Sequence, residues 1–313
     1  MAFKAATQKF GSSINAVELG VGDKKITLGG ENVFPLYTFD DAIANSPKVG
    51  VELTDLGIDD TLPELKEFYA GCDTIADQAK KAATMEGADF LSLRFEGADP
   101  NGENKSTEDC VAIAKEVAAA VDLPIVICGC KNVEKDSELF SKIAEAVPDK
   151  NILFLACKEE NYKNVGASVG LAYKQKVGAE SAVDINLAKQ LNVVLTQLGV
   201  NAGDIVCNVG SATAGYGFEY VVSTLDRIKS AALSQGDGDL QMPIMTPVAS
   251  ETYNVKESLA SEEDAPEWGS REARAVEMEI VTATACIASG SNAVILKHPQ
   301  SVATVSKFVK ELM

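Results

Sequence analysis

Eight short apolar runs, each followed by a stretch with helical character, constrain this chain more than any other feature. The runs are Val49–Leu53, Ala88–Phe95, Leu123–Gly129, Ile152–Cys157, Lys176–Ser181, Asp204–Gly210, Met242–Val248 and Ala293–His298. Each is nearly continuous in apolar character rather than alternating, the pattern of strands covered on both faces in a parallel sheet. Between them, Cys110, Ile113, Ala114, Val117 and Val121 fall on one helical stripe. Leu187, Leu191, Val194, Leu195 and Leu198 form a second, and Val276, Ile280, Ala283, Thr284 and Ile287 a third. Ser106 with Asp109 three residues later reads as a capping box with Asp in place of Glu, and Asp184 is placed to cap the second helix. Strand–helix alternation repeated eight times predicts a (β/α)8 barrel over residues 45–313, with an open doubly wound sheet as the competing arrangement.

Residues 1–44 stand outside that count as an N-terminal extension. Ala16–Leu19 and Lys25–Leu28 flank Gly20-Val21-Gly22-Asp23 and predict a β-hairpin, placed either to close the bottom of the barrel or to reach a partner. Gly236-Asp237-Gly238-Asp239 reads as a surface turn. Ala249–Trp268 is an acidic excursion after the seventh strand that carries the only Trp; long loops at the working face of a barrel are where function tends to lie.

Charge excludes some partners. With 28 Lys and Arg against 46 Asp and Glu, the net charge is −18, the opposite of the basic clusters that hold phosphate backbones or anionic lipid. No apolar stretch reaches the ~18 residues needed to span a bilayer. The start, Met1-Ala2-Phe3-Lys4-Ala5-Ala6-Thr7, leads into no signal-peptide core, so the cytoplasm is the expected compartment. The seven cysteines are an odd, scattered set and read as free thiols. Cys128-x-Cys130 is the close pair, with strand spacing that puts both thiols on one face and Cys157 within reach of them. No C-x2-C-x2-C or C-x4-C-x2-C spacing occurs, so no iron–sulfur cluster is expected on this chain.

A barrel of this kind works at its C-terminal face. The strand ends there carry Glu96–Asn101, Cys130-Lys131-Asn132, Lys158–Tyr162, Ala182–Asn186, Asn208–Gly217, Ala249–Thr252 and His298-Pro299. This rim is rich in Asn, Asp, Ser and Gly, which hydrogen-bond a large polar ligand and let it approach the backbone. Asp184, Asp99 and Asn101 also suit plain capping roles. Gly210 and Gly215 have P-loop spacing, but Tyr216 and Gly217 stand where Lys and Ser/Thr are needed. One histidine excludes a zinc triad, and His298 itself suits either a ligand contact or a structural hydrogen bond. Lys158 and Lys297 sit where a Schiff-base lysine would.

Six rim motifs occur in order: Gly97-Ala98-Asp99-Pro100-x-Gly102, Val133-Glu134-Lys135-Asp136, Glu160-Asn161-Tyr162-Lys163, Asp184-Ile185-Asn186-x-x-Lys189-Gln190-Leu191-Asn192, Gly215-Tyr216-Gly217-x-Glu219-Tyr220 and Trp268-Gly269. Together, from about Val49 to Met313, they resemble the small subunit of the corrinoid/iron–sulfur proteins of the anaerobic acetyl-CoA (Wood–Ljungdahl) pathway, the delta type of acetyl-CoA decarbonylase/synthase. The resemblance implies a barrel paired with a large subunit that carries an iron–sulfur cluster and a corrinoid domain. It implies that the corrinoid lies between that domain and the barrel's C-terminal face. The pair would take a methyl group from methyltetrahydrofolate through a separate methyltransferase and pass it to acetyl-CoA synthase.

Two departures fit that division of labour. The cluster motif is missing, and so is the D-x-H-x-x-G motif of many corrinoid domains, because Leu296 and Ser301 flank His298 where Asp and Gly are required. The chain is therefore expected to cap the corrinoid, with no catalytic nucleophile of its own. The contacts expected by position at strand ends are Asp99, Asn101, Asn132, Asp184, Asn186, Asn208, Gly210, Ser211, Tyr216, Gly217 and His298. Two rival readings use the same rim: a free-standing pterin-binding barrel methyltransferase acting on methyltetrahydrofolate, and a Schiff-base lyase using Lys158 or Lys297.

Overall fold

A computed structural model describes residues 6–313, so part of the segment Met1–Thr7 lies outside the described residues. After an N-terminal hairpin, β1 (Val17–Leu19) and β2 (Ile26–Leu28), the eight apolar runs become eight parallel strands. They are β3 (Lys48–Thr54), β4 (Phe90–Arg94), β5 (Ile125–Cys128), β6 (Leu153–Cys157), β7 (Lys176–Glu180), β8 (Ile205–Asn208), β9 (Met245–Pro247) and β10 (Ala293–Leu296). Hydrogen-bonded neighbours run β8-β7-β6-β5-β4-β3-β10-β9. A bridge between Cys207 and Ile244 joins the two ends, and the Cys207 N–H donates to the Pro243 carbonyl at 2.8 Å. The ring is thus closed in chain order, which removes the doubly wound alternative.

The helices lie between successive strands. They are α1 (Pro63–Phe68), α2 (Ile75–Ala82), α3 (Thr107–Ala120), α4 (Val133–Ala146), α5 (Tyr162–Val165, continued by a wider turn to Ala172), α6 (Ile185–Leu198), α7 (Phe218–Ser234), α8 (Ala249–Thr252), α9 (Lys256–Leu259), α10 (Arg271–Ser289) and α11 (Pro299–Leu312). Their starts follow the sequence signals. Ser106 Oγ accepts the Asp109 N–H and donates to its carboxylate, the expected capping box. Asp184 accepts the N–H groups of Asn186 and Leu187. Cys110, Ala114 and Val117 turn inward from α3, as do Leu191 and Leu195 from α6 and Val276, Ala283 and Ile287 from α10. The acidic excursion after β9 is held against α10, where the Arg274 Nε donates to the Glu257 carbonyl and the Arg271 Nε to that of Ser258, each at 2.8 Å.

Strand geometry sends alternate side chains to opposite sides, and the two sides form separate cores. Leu91, Leu93, Ile127, Phe154 and Val177 face the helices. Phe90, Val126, Leu153, Val206, Met245 and Ile295 fill the barrel, together with Val17, Leu19, Ile26 and Leu28 of the hairpin. The hairpin therefore closes the bottom of the barrel, at the N-terminal ends of the strands. Asn151, just before β6, donates to the carbonyls of Glu18 at 2.9 Å and Gly20 at 3.2 Å. Gly50 has no side chain because Phe90 occupies its place: a Cβ there would lie 2.2 Å from the Phe90 ring.

Candidate functional site

Towards the C-terminal ends of the strands, the interior changes from apolar to charged. Glu52 follows Gly50 on β3, Arg94 lies two positions above Ser92 on β4, Glu180 follows Gly178 on β7, and Asn208 follows Val206 on β8. Arg94 donates from Nε at 2.9 Å and from Nη2 at 2.8 Å to Glu52 Oε2. Both side chains are buried, 9% and 3% exposed. Burial alone would lower the Arg94 pKa, but the adjacent Glu52 carboxylate outweighs it and holds the guanidinium charged.

Above this pair opens a cavity of about 260 Å3 whose wall includes Arg94, Lys158, Glu180, Asn208, Ser211 and Glu251. Lys158 pairs with Glu180 at 3.6 Å, and Lys131 pairs with Glu251 at 3.1 Å. Asp136, on the first turn of α4, accepts the Cys130 N–H at 2.8 Å and its thiol at 3.2 Å. Burial raises the Asp136 pKa and pushes that of Cys130 up to about 12. Gly129 makes this turn possible, since a Cβ there would meet the Asp136 carboxyl at 2.2 Å. The turn also separates the cysteines. Cys128 faces the barrel interior, Cys157 belongs to the outer core, and Cys130 sits half-buried over α4. The expected common face of Cys128 and Cys130 is lost because β5 ends at Cys128. Among the described residues, no three His, Cys, Asp or Glu side chains converge as metal ligands would.

Of the residues singled out in the sequence, Asn208, Gly210 and Ser211 line this cavity. Asn208 Oδ1 accepts the Gly210 N–H at 2.9 Å, Gly210 has φ +82°, and Ser211 Oγ is buried without a hydrogen-bond partner among the described residues. The others lie on surrounding loops. Asp99 accepts the Asn101 N–H at 2.9 Å, Asn132 caps α4 through the Lys135 N–H at 3.0 Å, and Asp184 caps α6 through Asn186 at 2.7 Å. Tyr216 donates its hydroxyl to Glu257, tying the loop after β8 to α9. Gly217 precedes α7 with φ +78°.

His298 is buried and does not line the cavity. Its Nδ1 accepts the Gln300 N–H at 3.2 Å, its Nε2 lies 3.3 Å from Glu272, and burial lowers its pKa. Beside it Glu279 accepts the N–H groups of Lys297 at 2.6 Å and His298 at 3.3 Å, and the Tyr253 hydroxyl at 3.3 Å. Burial pushes Glu279 up to about 7. Glu272 accepts the N–H groups of Glu64 and Leu65 at the start of α1, each at 3.0 Å. Two carboxylates of α10 thus hold the loops after β3, β9 and β10. Lys297 rests 4.7 Å above the Tyr253 ring.

The charged interior was not among the sequence candidates. Its signal was present as single charges inside otherwise apolar runs, Val51-Glu52-Leu53, Leu93-Arg94-Phe95 and Ala179-Glu180-Ser181. Leu56 and Tyr216 on loops, Tyr220 on α7 and Leu259 on α9 are exposed, at 50%, 45%, 67% and 50%.

Comparison with known proteins gives a consistent result. The sequence model of the family described as CO dehydrogenase/acetyl-CoA synthase delta subunit matches residues 16–296. The acetyl-CoA decarbonylase/synthase complex subunit delta of Methanothermobacter thermautotrophicus is 30% identical over 96% of this chain and 76% of its own length. Subunit delta 1 of the same complex in Methanosarcina thermophila is 29% identical over 94% of this chain and 67% of its own length. In fold, the chain is similar to dihydropteroate synthase of Xanthomonas albilineans in its structure with 4-aminobenzoic acid. The TM-score is 0.57 at 13% identity, over 95% of this chain and 98% of that one.

Proposed function

Since the chain belongs to the CO dehydrogenase/acetyl-CoA synthase delta-subunit family, we propose that it is the barrel subunit of a corrinoid/iron–sulfur methyl carrier. The family match across residues 16–296 is the observation that carries this reading. In it, a large subunit holds the corrinoid and the iron–sulfur cluster, and this chain's C-terminal face covers the corrinoid. When bound, the corrinoid supplies the cobalt that carries a methyl group from a methyltetrahydrofolate methyltransferase to acetyl-CoA synthase. The work belongs in the cytoplasm; among the described residues no helix is long and apolar enough to cross a membrane.

The residues present suit that group. A corrinoid edge bears many amide arms, and the rim offers neutral hydrogen-bonding groups for them. The buried Ser211 hydroxyl without a partner and the Asn208 amide lie at the mouth. Asn101, Asp184, Asn186 and Tyr216 are exposed on the loops around it, and half-exposed Asp99 and Asn132 lie among them. Gly210 and Gly217 keep backbone accessible where a ring would approach. Exposed Leu56, Tyr216, Tyr220 and Leu259 supply apolar surface for the ring and the large subunit. The closed bottom of the barrel and the three loops fixed by Glu272 and Glu279 make the face a rigid cover that excludes water and oxygen. Methyl donor and acceptor proteins need the same side of the cobalt, so the cover must swing aside as a body.

The test is the rate at which oxygen oxidises the reduced corrinoid of the large subunit, with and without this chain. Protection by the chain supports the reading, and equal rates refute it. A pterin-barrel methyltransferase is separated by the same preparation: it would transfer the methyl group of methyltetrahydrofolate to added free cob(I)alamin without the large subunit.

A further inference from the structure

The cavity at the barrel mouth carries more hydrogen-bond donors than the protein itself uses. Arg94 gives Nε and Nη2 to Glu52, and its Nη1 has no partner among the described residues. The outer edge of the guanidinium fork therefore faces the cavity. Asn208 uses Oδ1 to accept the Gly210 N–H. That contact orients the amide and leaves Nδ2 without a partner among the described residues. Ser211 Oγ is buried and also unpartnered. Lys158 is held only at 3.6 Å from Glu180. Arg94 and Asn208 are both more than nine-tenths buried, so these donors are fixed by strands rather than by mobile side chains.

Two acceptors in the same wall are already engaged: Asp136 takes the Cys130 N–H and thiol, and Glu251 takes Lys131, while Glu180 lies 3.6 Å from Lys158. The lining also includes apolar Cys128, Leu155, Ala156, Val183 and Pro247. The buried Ser211 hydroxyl is left without a partner, which is unfavourable, and the free edge of an arginine fork matches two carboxylate oxygens.

We propose that this cavity is a binding site for a small organic monocarboxylate. Its carboxylate would lie against Arg94, Asn208 and Ser211 and its carbon body against Leu155, Ala156 and Val183. Three cations in the wall (Arg94, Lys131, Lys158) face three carboxylates (Asp136, Glu180, Glu251), with Glu52 behind Arg94. The wall therefore carries no net positive charge, so a monocarboxylate is held by the directed donors rather than by net charge, and a dianion is repelled. The volume of about 260 Å3 lies just under the ~300 Å3 at which drug-sized pockets begin, which limits the ligand to a short aliphatic or single-ring acid. All the lining residues come from this chain, but Asn208 and Ser211 also belong to the face assigned to the corrinoid above, so the site is tested on this chain alone.

The experiment titrates the full chain, labelled at leucine and valine methyls, with benzoate and with benzamide. The proposal expects benzoate to shift the Leu155 and Val183 methyl resonances saturably at millimolar concentration, and benzamide to leave them in place. Asn208→Asp keeps the acceptor for Gly210 but replaces the free donor with a negative charge. It should weaken benzoate at least about tenfold. Ser211→Ala, which removes only one hydroxyl, should weaken it severalfold and serves if Asn208→Asp does not fold. Equal binding of benzamide, shifts confined to methyls elsewhere, no shift at tens of millimolar, or unchanged affinity in a folded variant would each overturn it.

Discussion

Breaking the Glu52–Arg94 pair tests whether the upper barrel interior is organised as described. The two side chains meet at 2.8–2.9 Å and are 3% and 9% exposed. Glu52→Gln keeps an acceptor near Arg94 but leaves a buried cation without a countercharge, a change that costs about 3–5 kcal/mol in buried pairs. The cavity above Arg94 admits water, which places the expectation near the lower figure, about 3 kcal/mol. Arg94→Met leaves the opposite charge, and here the two variants should diverge. A lone buried carboxylate escapes by taking up a proton, whereas an arginine cannot release one. Arg94→Met should therefore recover stability as pH falls from 8 to 5, while Glu52→Gln should not. The double variant removes both charges and should lie within about 2 kcal/mol of wild type. The assay is urea unfolding of all four proteins at both pH values. Single variants each within about 1 kcal/mol of wild type, or a double variant no better than the worse single, would refute the description of this pair as buried and mutually dependent.

Glu279 gives a pH signature. Its folded pKa of about 7 lies above the ordinary 4.5, so the native state binds the proton more tightly and stability falls as pH rises through that window, by about 3 kcal/mol in all. In Glu279→Gln the difference from wild type should shrink in that sense between pH 5 and 7.5. His298, lowered by burial, acts the other way below pH 6.5 and should remain in the variant's own profile. Parallel wild-type and variant profiles would contradict the assignment. At the barrel floor, Gly50→Ala drives a methyl into the Phe90 ring and should cost about 1–3 kcal/mol or more. Adding Phe90→Leu should recover part of that loss in the same unfolding assay, and no recovery would show that the contact is not the cause.

The fold was legible because a parallel barrel demands continuous apolar strands and amphipathic helices, and both patterns survive in the sequence. Ser106, Asp184 and the hairpin around Gly20 were also legible, since their signals are local. The site was less so. Position at a strand end predicts that a residue reaches the face but not which way it points, so Asp99, Asn132 and Asp184 turn out to satisfy backbone groups of their own loops and helices. Glu52, Arg94 and Glu180 were hidden by the same rule that revealed the strands: a run read as apolar conceals its single charged member. Period-two geometry is what marks those charges, because each shares the inward face with Phe90, Gly178 or Gly50. The anchoring of Tyr253, Lys297 and Glu64 through α10 depends on contacts between segments far apart in the chain, for which the sequence carries no local mark.

The most direct test of the central claim is anaerobic purification of this chain from its native host, with subunit stoichiometry, cobalt and iron counted and an absorption spectrum recorded. The account predicts an equimolar second chain carrying a corrinoid and an iron–sulfur cluster. A colourless, metal-free homo-oligomer that binds methyltetrahydrofolate would contradict it.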